Sequence, residues 1–182
     1  LCADCPTLMR LASQELGSGY VTYGFSEDAN IRGVEIRADR TGSSCRVLRG
    51  GVPVGHLHIR VPGKHLLQNA LGVYATGLQI GLSIEKLSYG LAEYRGARRR
   101  FETLGEWNGA ILIDDYAHHP TEIRATLQAL DQKAQGRKVA IFQPHRYSRL
   151  EQLFDEFAQS FESLDLLIVT DVYSAGEAPR PG

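Results

Sequence analysis

Hydrophobic and polar positions change period several times along the chain, and each change marks an element. Pro6 to Glu15 reads as a short helix ended by Gly17, and the β-rich stretch Tyr20 to Tyr23 as a strand. Ile31 to Ala38 and Cys45 to Leu48 read as paired strands, joined through Thr41-Gly42-Ser43-Ser44 as the turn. From Val54 to Val61 the alternation is strict, with Leu57, Ile59 and Val61 on one face and His56, His58 and Arg60 on the other. Two histidines two apart lack the further ligands of a metal site, so they read as a solvated strand face. Pro62-Gly63 breaks the strand. Leu66, Leu67, Ala70, Val73, Tyr74, Gly77 and Leu78 then recur at helical spacing and predict a helix from about His65 to Ile80. Ser83 caps a second helix carrying Ile84, Leu87 and Leu91.

Beyond the Gly-Ala-Arg-Arg-Arg run at 96 to 100 the pattern becomes more regular, and a domain boundary is placed there, giving 1–96 and 97–182. Arg100 to Trp107 is a strand, Asn108-Gly109 a type I′ hairpin turn, and Ala110 to Asp115 the return strand. Pro120 opens a helix with Ile123, Leu127 and Leu130 on one face. Lys138 to Phe142 and Leu166 to Val169 read as short buried strands. Between them Ser148 caps a helix whose apolar stripe is Leu150, Leu153, Phe154, Phe157 and Phe161. Strand, helix, strand, helix, strand predicts parallel strands of one sheet with right-handed crossovers, an α/β fold.

Composition narrows the function classes. With 43% hydrophobic and 23% charged residues and a net charge of -1, the chain gives no electrostatic case for nucleic acid or anionic membrane as a partner. No apolar run approaches the ~20 residues of a membrane helix. The chain starts at Leu1 and closes on Pro-Arg-Pro-Gly, and reads as a piece of a longer protein. Cys2 and Cys5 form a Cys-x-x-Cys without a second pair, and with Cys45 they read as reduced cysteines of a cytoplasmic protein. Nothing in the sequence speaks to oligomeric state.

Parallel strands send their following loops to one sheet edge, where open α/β sheets bind ligands. Those loops are Asp114 to His119, Gln143 to Arg149 and Asp171 to Glu177, and together they gather carboxylates, histidines, arginines and tyrosines. Arg146 and Arg149, three residues apart at a helix entry, suit a carboxylate or phosphate held bidentately; the bland alternative pairs Arg149 with Glu151 or Glu156 at the surface. His118 alternates with Tyr116 and projects beside it, whereas His119 abuts Pro120 as a helix cap. Asp114 and Asp115 fall on opposite strand faces. Neither a Gly-x-x-x-x-Gly-Lys-Ser/Thr nor a Gly-x-Gly-x-x-Gly phosphate loop occurs.

Three motifs, Asp114-Asp115-Tyr116-Ala117-His118-His119-Pro120-Thr121-Glu122, Phe142-Gln143-Pro144-His145-Arg146-Tyr147-Ser148-Arg149 and Asp171-Val172-Tyr173-Ser174-Ala175-Gly176-Glu177, resemble those of the muramyl ligases. Gly96 to Phe101 and Pro62-Gly63-Lys64-His65 through Asn69-Ala70 extend the resemblance over nearly the whole chain, although Leu66 stands where the family pattern has Asn. The resemblance implies the tail of a P-loop-type central ATP-binding domain over 1–96, followed over 97–182 by a truncated Rossmann-like parallel-sheet C-terminal domain that binds the amino acid. It implies ATP-dependent ligation of L-alanine to UDP-N-acetylmuramate via an acyl phosphate in peptidoglycan synthesis. ATP and Mg2+ are then required, with the metal ligands and the P-loop in a part not present here, so that this piece by itself is inactive. Carried over, His145, Arg146 and Arg149 hold the L-alanine carboxylate with Tyr116 and His118 beside them, and His118 and Arg146 act in catalysis. Asp115 and Arg100 contact the ATP ribose, and His65 and Asn69 line the adenine side. Two other readings stand beside it: a non-catalytic module holding an anionic metabolite at the sheet edge, and a related murein peptide ligase, against which the Gln-Pro-His-Arg-Tyr-Ser-Arg form speaks.

Overall fold

Gly96 takes φ 102°, a backbone region that glycine enters without steric cost. There the chain divides into two compact units, Leu1–Gly96 and Ala97–Gly182. The structure is a computed structural model that describes residues 1–133 and 136–179; Arg180, Pro181 and Gly182 of the closing run lie outside these. The architecture is mixed α/β, with parallel strand pairing in each unit.

In the first unit, α1 (Pro6–Glu15) opens with proline at its first position and is followed by Gly17 at φ 58°. The first strand is shorter than the β-rich sequence predicts: β1 covers only Tyr23–Gly24, parallel to β2 (Ile31–Ala38). The reason is local. Asn30 accepts from both the backbone amide and the hydroxyl of Thr22, at 2.8 and 2.9 Å, and bends the chain before a ladder can extend. β3 (Ser43–Arg49) starts two residues earlier than expected because the turn falls at Asp39–Gly42, where Asp39 accepts from the amides of Thr41 and Gly42. A Cβ at Gly42 would lie 2.2 Å from the carbonyl oxygen of Ile59, so only glycine lets the turn approach the neighbouring strand.

β4 (Val52–Ile59) completes a four-stranded sheet in the order β1-β2-β3-β4. Leu57 and Ile59 are buried while His56 and His58 are exposed, as the alternation predicts. Helices α2 (Lys64–Gln79) and α3 (Ile84–Glu93) cover the apolar face; the Ser83 hydroxyl accepts the Lys86 amide as the expected cap. Leu67, Ala70, Leu71, Tyr74 and Ala75 of α2 join Ile31, Val47, Leu57 and Ile59 in the core. Val73 does not; it sits on the opposite side of α2 and is exposed.

In the second unit, β5 (Glu102–Trp107) and β6 (Ala110–Asp114) form an antiparallel hairpin. Asn108 and Gly109 both have positive φ, 49° and 80°, as a type I′ turn requires. Then follow α4 (Pro120–Lys133), β7 (Val139–Phe142), α5 (Tyr147–Gln152), α6 (Phe154–Gln159) and β8 (Leu166–Val169), with β7 and β8 parallel. Three expectations are corrected. The helix expected across Leu150 to Phe161 breaks at Leu153 (φ -120°, ψ 24°) into α5 and α6, leaving Phe154 exposed. Ser148 lies inside α5 rather than at its cap, and its hydroxyl is donated elsewhere. β7 and β8 are buried on one face only: Phe142 and Leu167 pack with Ile123, Leu127 and Phe157, whereas Val139 and Ile141 are 47% and 74% exposed and the cross-strand Leu166 and Ile168 41% and 45%.

The single sheet expected for β6, β7 and β8 is also modified. Among the described residues no ladder joins β6 to β7, and each belongs to a separate two-stranded sheet. A cavity of about 310 Å³ lined by residues that include Ile111, Ile113, Leu127, Ile141 and Phe142 occupies that region.

Candidate functional site

The site builds up from the loops that leave β6, β7 and β8 within the second unit. After Asp114 the chain is shaped by Asp115, whose carboxylate accepts the Phe101 amide at 2.8 Å and the Ala117 amide at 2.7 Å. Both oxygens are thereby engaged with backbone, while Asp114 points to Arg99 at 3.8 Å. The two acids thus serve different faces, as strand alternation requires. Tyr116 is held from both sides. Its amide donates to the Arg99 carbonyl at 2.8 Å, the Arg99 guanidinium stacks 4.5 Å from its ring centre, and the His118 ring meets it edge-on at 4.9 Å.

His118 has a defined orientation. Its Nδ1 lies 2.7 Å from the Tyr116 carbonyl oxygen, and because a carbonyl only accepts, this bond places the hydrogen on Nδ1. Nε2 of a neutral His118 then carries the lone pair. Glu122 accepts the His118 amide at 3.0 Å and its Oε2 lies 3.7 Å from Nδ1. Burial raises the Glu122 pKa, but the His118 amide, the His118 ring and the Arg100 charge outweigh it and hold the carboxyl below its ordinary range.

Beyond β7 and β8 the parallel pairing continues as an isolated bridge between His145 and Tyr173. The Tyr173 amide donates to the Pro144 carbonyl at 2.8 Å, and the Arg146 amide to the Tyr173 carbonyl at 2.9 Å. This extension carries His145 to 5.4 Å from His118, 6.3 Å from Tyr116 and 5.0 Å from Tyr173, ring centre to ring centre. Desolvation, followed by the charges of His118, Arg149 and Arg146, pushes the His145 pKa below its ordinary value, while Glu177 pulls it up. Its Nδ1 is buried with no hydrogen-bond partner among the described residues.

Arg146 has φ 70° and ψ 128°, a region a side-chain-bearing residue occupies at a cost of roughly 1–3 kcal/mol. Arg149 reaches back to the first loop, its Nη1 donating to the His118 carbonyl at 3.4 Å. Of the two surface carboxylates weighed for Arg149, Glu156 pairs with Arg124 at 3.9 Å. Tyr116, His118, His145, Arg146 and Arg149 are therefore gathered at one place. Arg100 is exposed on the approach to β5. His65 and Asn69 belong to the first unit, one turn apart near the start of α2, with His65 half-buried and Asn69 exposed.

Residues 99–181 match the family model described as Mur ligase, glutamate ligase domain. UDP-N-acetylmuramate–L-alanine ligase of Salinibacter ruber is 43% identical over 183 residues, an alignment covering 100% of this chain and 38% of that protein. The protein of the same name from Gloeobacter violaceus is 46% identical over 89% of this chain and 36% of its own length. Residues 99–181 are a Mur ligase C-terminal domain. The chain spans less than two fifths of the length of these two relatives. The crystal structure of UDP-N-acetylmuramate-alanine ligase MurC from Thermotoga maritima superposes with a TM-score of 0.73 at 33% identity, covering 84% of this chain and 34% of that one. A Mur ligase solved with ADP, MurF of Thermotoga maritima, shares the fold at 16% identity, with a TM-score of 0.69 over 91% of this chain and 38% of that one.

In this Mur ligase segment, three participants carry no individual role in the sequence motifs: Arg99, Glu122 and Glu177. Glu122 and Glu177 close the first and third of the polar motifs, so their positions were marked but their partners were not. Arg99 reaches Tyr116 only because positive φ at Arg99 (58°) and Phe101 (50°) folds the arginine run back over the strand end. Among the described residues no group of three or more His, Cys, Asp or Glu is placed to hold a metal ion. The cluster instead presents two guanidinium groups, two imidazoles and two phenols, a surface suited to a small carboxylate whose amine needs a proton acceptor.

Proposed function

We propose that the chain is the amino-acid-binding part, with the adjoining tail of the central domain, of a cytoplasmic ATP-dependent ligase that joins L-alanine to UDP-N-acetylmuramate in peptidoglycan synthesis. The observation that carries the reading is the convergence of Tyr116, His118, His145, Arg146 and Arg149 in one unit, from two loops far apart in sequence. Arg146, Arg149 and His145 grip the alanine carboxylate, and Tyr116 walls the pocket. His118, with hydrogen on Nδ1, offers Nε2 to the alanine ammonium and takes its proton. The freed amine attacks the acyl phosphate formed from the lactyl carboxylate and ATP; the amide C–N bond forms, and inorganic phosphate departs with the C–O electron pair and takes up the second N–H proton. Positioning of the amine, rather than covalent chemistry by these residues, supplies their share of the rate.

For ATP, Arg100 and Asp115 of the second unit are assigned to the ribose. Asp115 has both carboxylate oxygens on backbone amides, so a ribose contact would be shared with those bonds. Mg2+ accompanies ATP on residues outside this segment. The test uses the full-length ligase with phosphate release as readout. Arg146→Ala or Arg149→Ala raises the L-alanine KM at least about tenfold, the loss of a charged contact worth ~1.4 kcal/mol or more, and leaves the ATP KM in place. An unchanged alanine KM in both variants refutes the assignment.

A further inference from the structure

Glu177 has no part in the reading above, yet more of the Arg146 loop is tied to it than to any other side chain described. Its Oε2 accepts the Ser148 amide at 2.9 Å, its Oε1 accepts the Ser148 hydroxyl at 2.6 Å, and Arg146 Nη1 lies 3.9 Å from the same Oε1. The Glu177 side chain is 21% exposed, whereas Arg146 is 49% exposed, so the acid is the fixed partner and the arginine the presented one. Two consecutive positive φ values, 52° at Ala175 and 87° at Gly176, turn the chain after β8 so that Glu177 faces the loop after β7. The Glu177 amide closes that turn on the Ser174 carbonyl at 3.0 Å. At the receiving end, Arg146 itself holds φ 70°. Strain at both ends of one carboxylate bridge persists only where the surroundings hold it.

We infer that Glu177 is a positioning residue of the amino-acid site: it anchors Ser148 and through it fixes the strained Arg146, so that the guanidinium meets the incoming carboxylate already oriented. The inference rests on the assignment of Arg146 to the alanine carboxylate. The main link is hydrogen bonding to Ser148, since a half-exposed ion pair at 3.9 Å contributes little by itself. Replacing the acid by its amide therefore keeps most of the function, because a glutamine carbonyl still accepts the Ser148 amide.

The experiment measures KM for L-alanine, ATP and UDP-N-acetylmuramate in the full-length ligase carrying Glu177→Ala, Glu177→Gln, Arg146→Ala, or Arg146→Ala with Glu177→Ala. Glu177→Ala is expected to raise the alanine KM about tenfold with the other two KM values within about twofold, and Glu177→Gln to restore it to within about threefold. Added to Arg146→Ala, Glu177→Ala raises the alanine KM no further, because the two act as one unit. A wild-type alanine KM in Glu177→Ala alongside a raised one in Arg146→Ala overturns the positioning role and leaves the site assignment standing. Equal increases in all three KM values overturn it too, as the mark of a merely structural residue. An alanine KM unchanged in Arg146→Ala removes the site assignment and the positioning role together. If Glu177→Ala does not fold, Ser148→Ala takes its place, with an expected rise of about threefold confined to L-alanine and refutation by no rise.

Discussion

Asp115→Ala removes the acceptor of two backbone amides and so probes how the first loop of the site is held. One bond, to the Phe101 amide at 2.8 Å, fastens the approach to β5 against the end of β6; the other, to the Ala117 amide at 2.7 Å, sets the turn that aims Tyr116 and His118. Hydrogen bonds to a charged acceptor contribute ~1.5–3 kcal/mol each. Asp115 is half-buried, so water recovers part of the loss, and the pair is worth about 2–4 kcal/mol of local stability. At ~1.4 kcal/mol per factor of ten, the opening constant of this segment rises roughly 30- to 700-fold. Asp115→Asn retains one neutral acceptor and loses about half as much. Hydrogen–deuterium exchange of peptides spanning 99–117 in the full-length ligase reads the effect, with an α2 peptide as the control for global opening. Less than a threefold change at Phe101 and Ala117 refutes the reasoning. So does an equal loss of protection in α2, which places the damage outside this loop.

Two further outcomes follow from burial and charge. Burial pushes the Cys45 thiol up to about 12, so maleimide at pH 8 labels the exposed Cys5 and spares Cys45 until the protein is denatured; native labelling of Cys45 contradicts this. His145 titrates below its ordinary value of about 6.5, so the unfolded chain binds its proton first on acidification. Its contribution to stability is present in full above about pH 6.5 and declines as pH falls from there through the depressed folded-state range. An imidazole NMR titration, assigned with His145→Gln, reads the midpoint, and a midpoint at or above 6.5 ends the argument.

The helices and strands were largely legible in the sequence because their signals are local. Alternation over Val54 to Val61 and the 3.6-residue period after Pro62 depend only on which face meets apolar neighbours, and Asn108-Gly109 names its own turn. At β1 a side chain overrode the period, Asn30 shortening the strand through Thr22. Between Tyr147 and Gln159 the departure is in the backbone, where Leu153 leaves helical geometry at φ -120° and ψ 24°. The exposure of Val139 and Ile141 was beyond reach for another reason, since an apolar run states a preference for burial and not what is present to bury it.

For the site, the sequence by itself determined which chemical groups occupy the loops after β6, β7 and β8, and the charge and hydrogen-bonding capacity each brings. Only the tertiary structure decided their partners. Asp115 is tied to Phe101 and Ala117 rather than left open, Glu177 reaches back to Ser148, and His118 and His145 meet at 5.4 Å although no ladder joins β6 to β7. Apart from the Ala117 bond, two residues away, such contacts join residues 14 or more positions apart. Backbone φ reversals at Arg99, Phe101, Arg146 and Ala175 help set them, and residue spacing in the sequence does not encode those reversals.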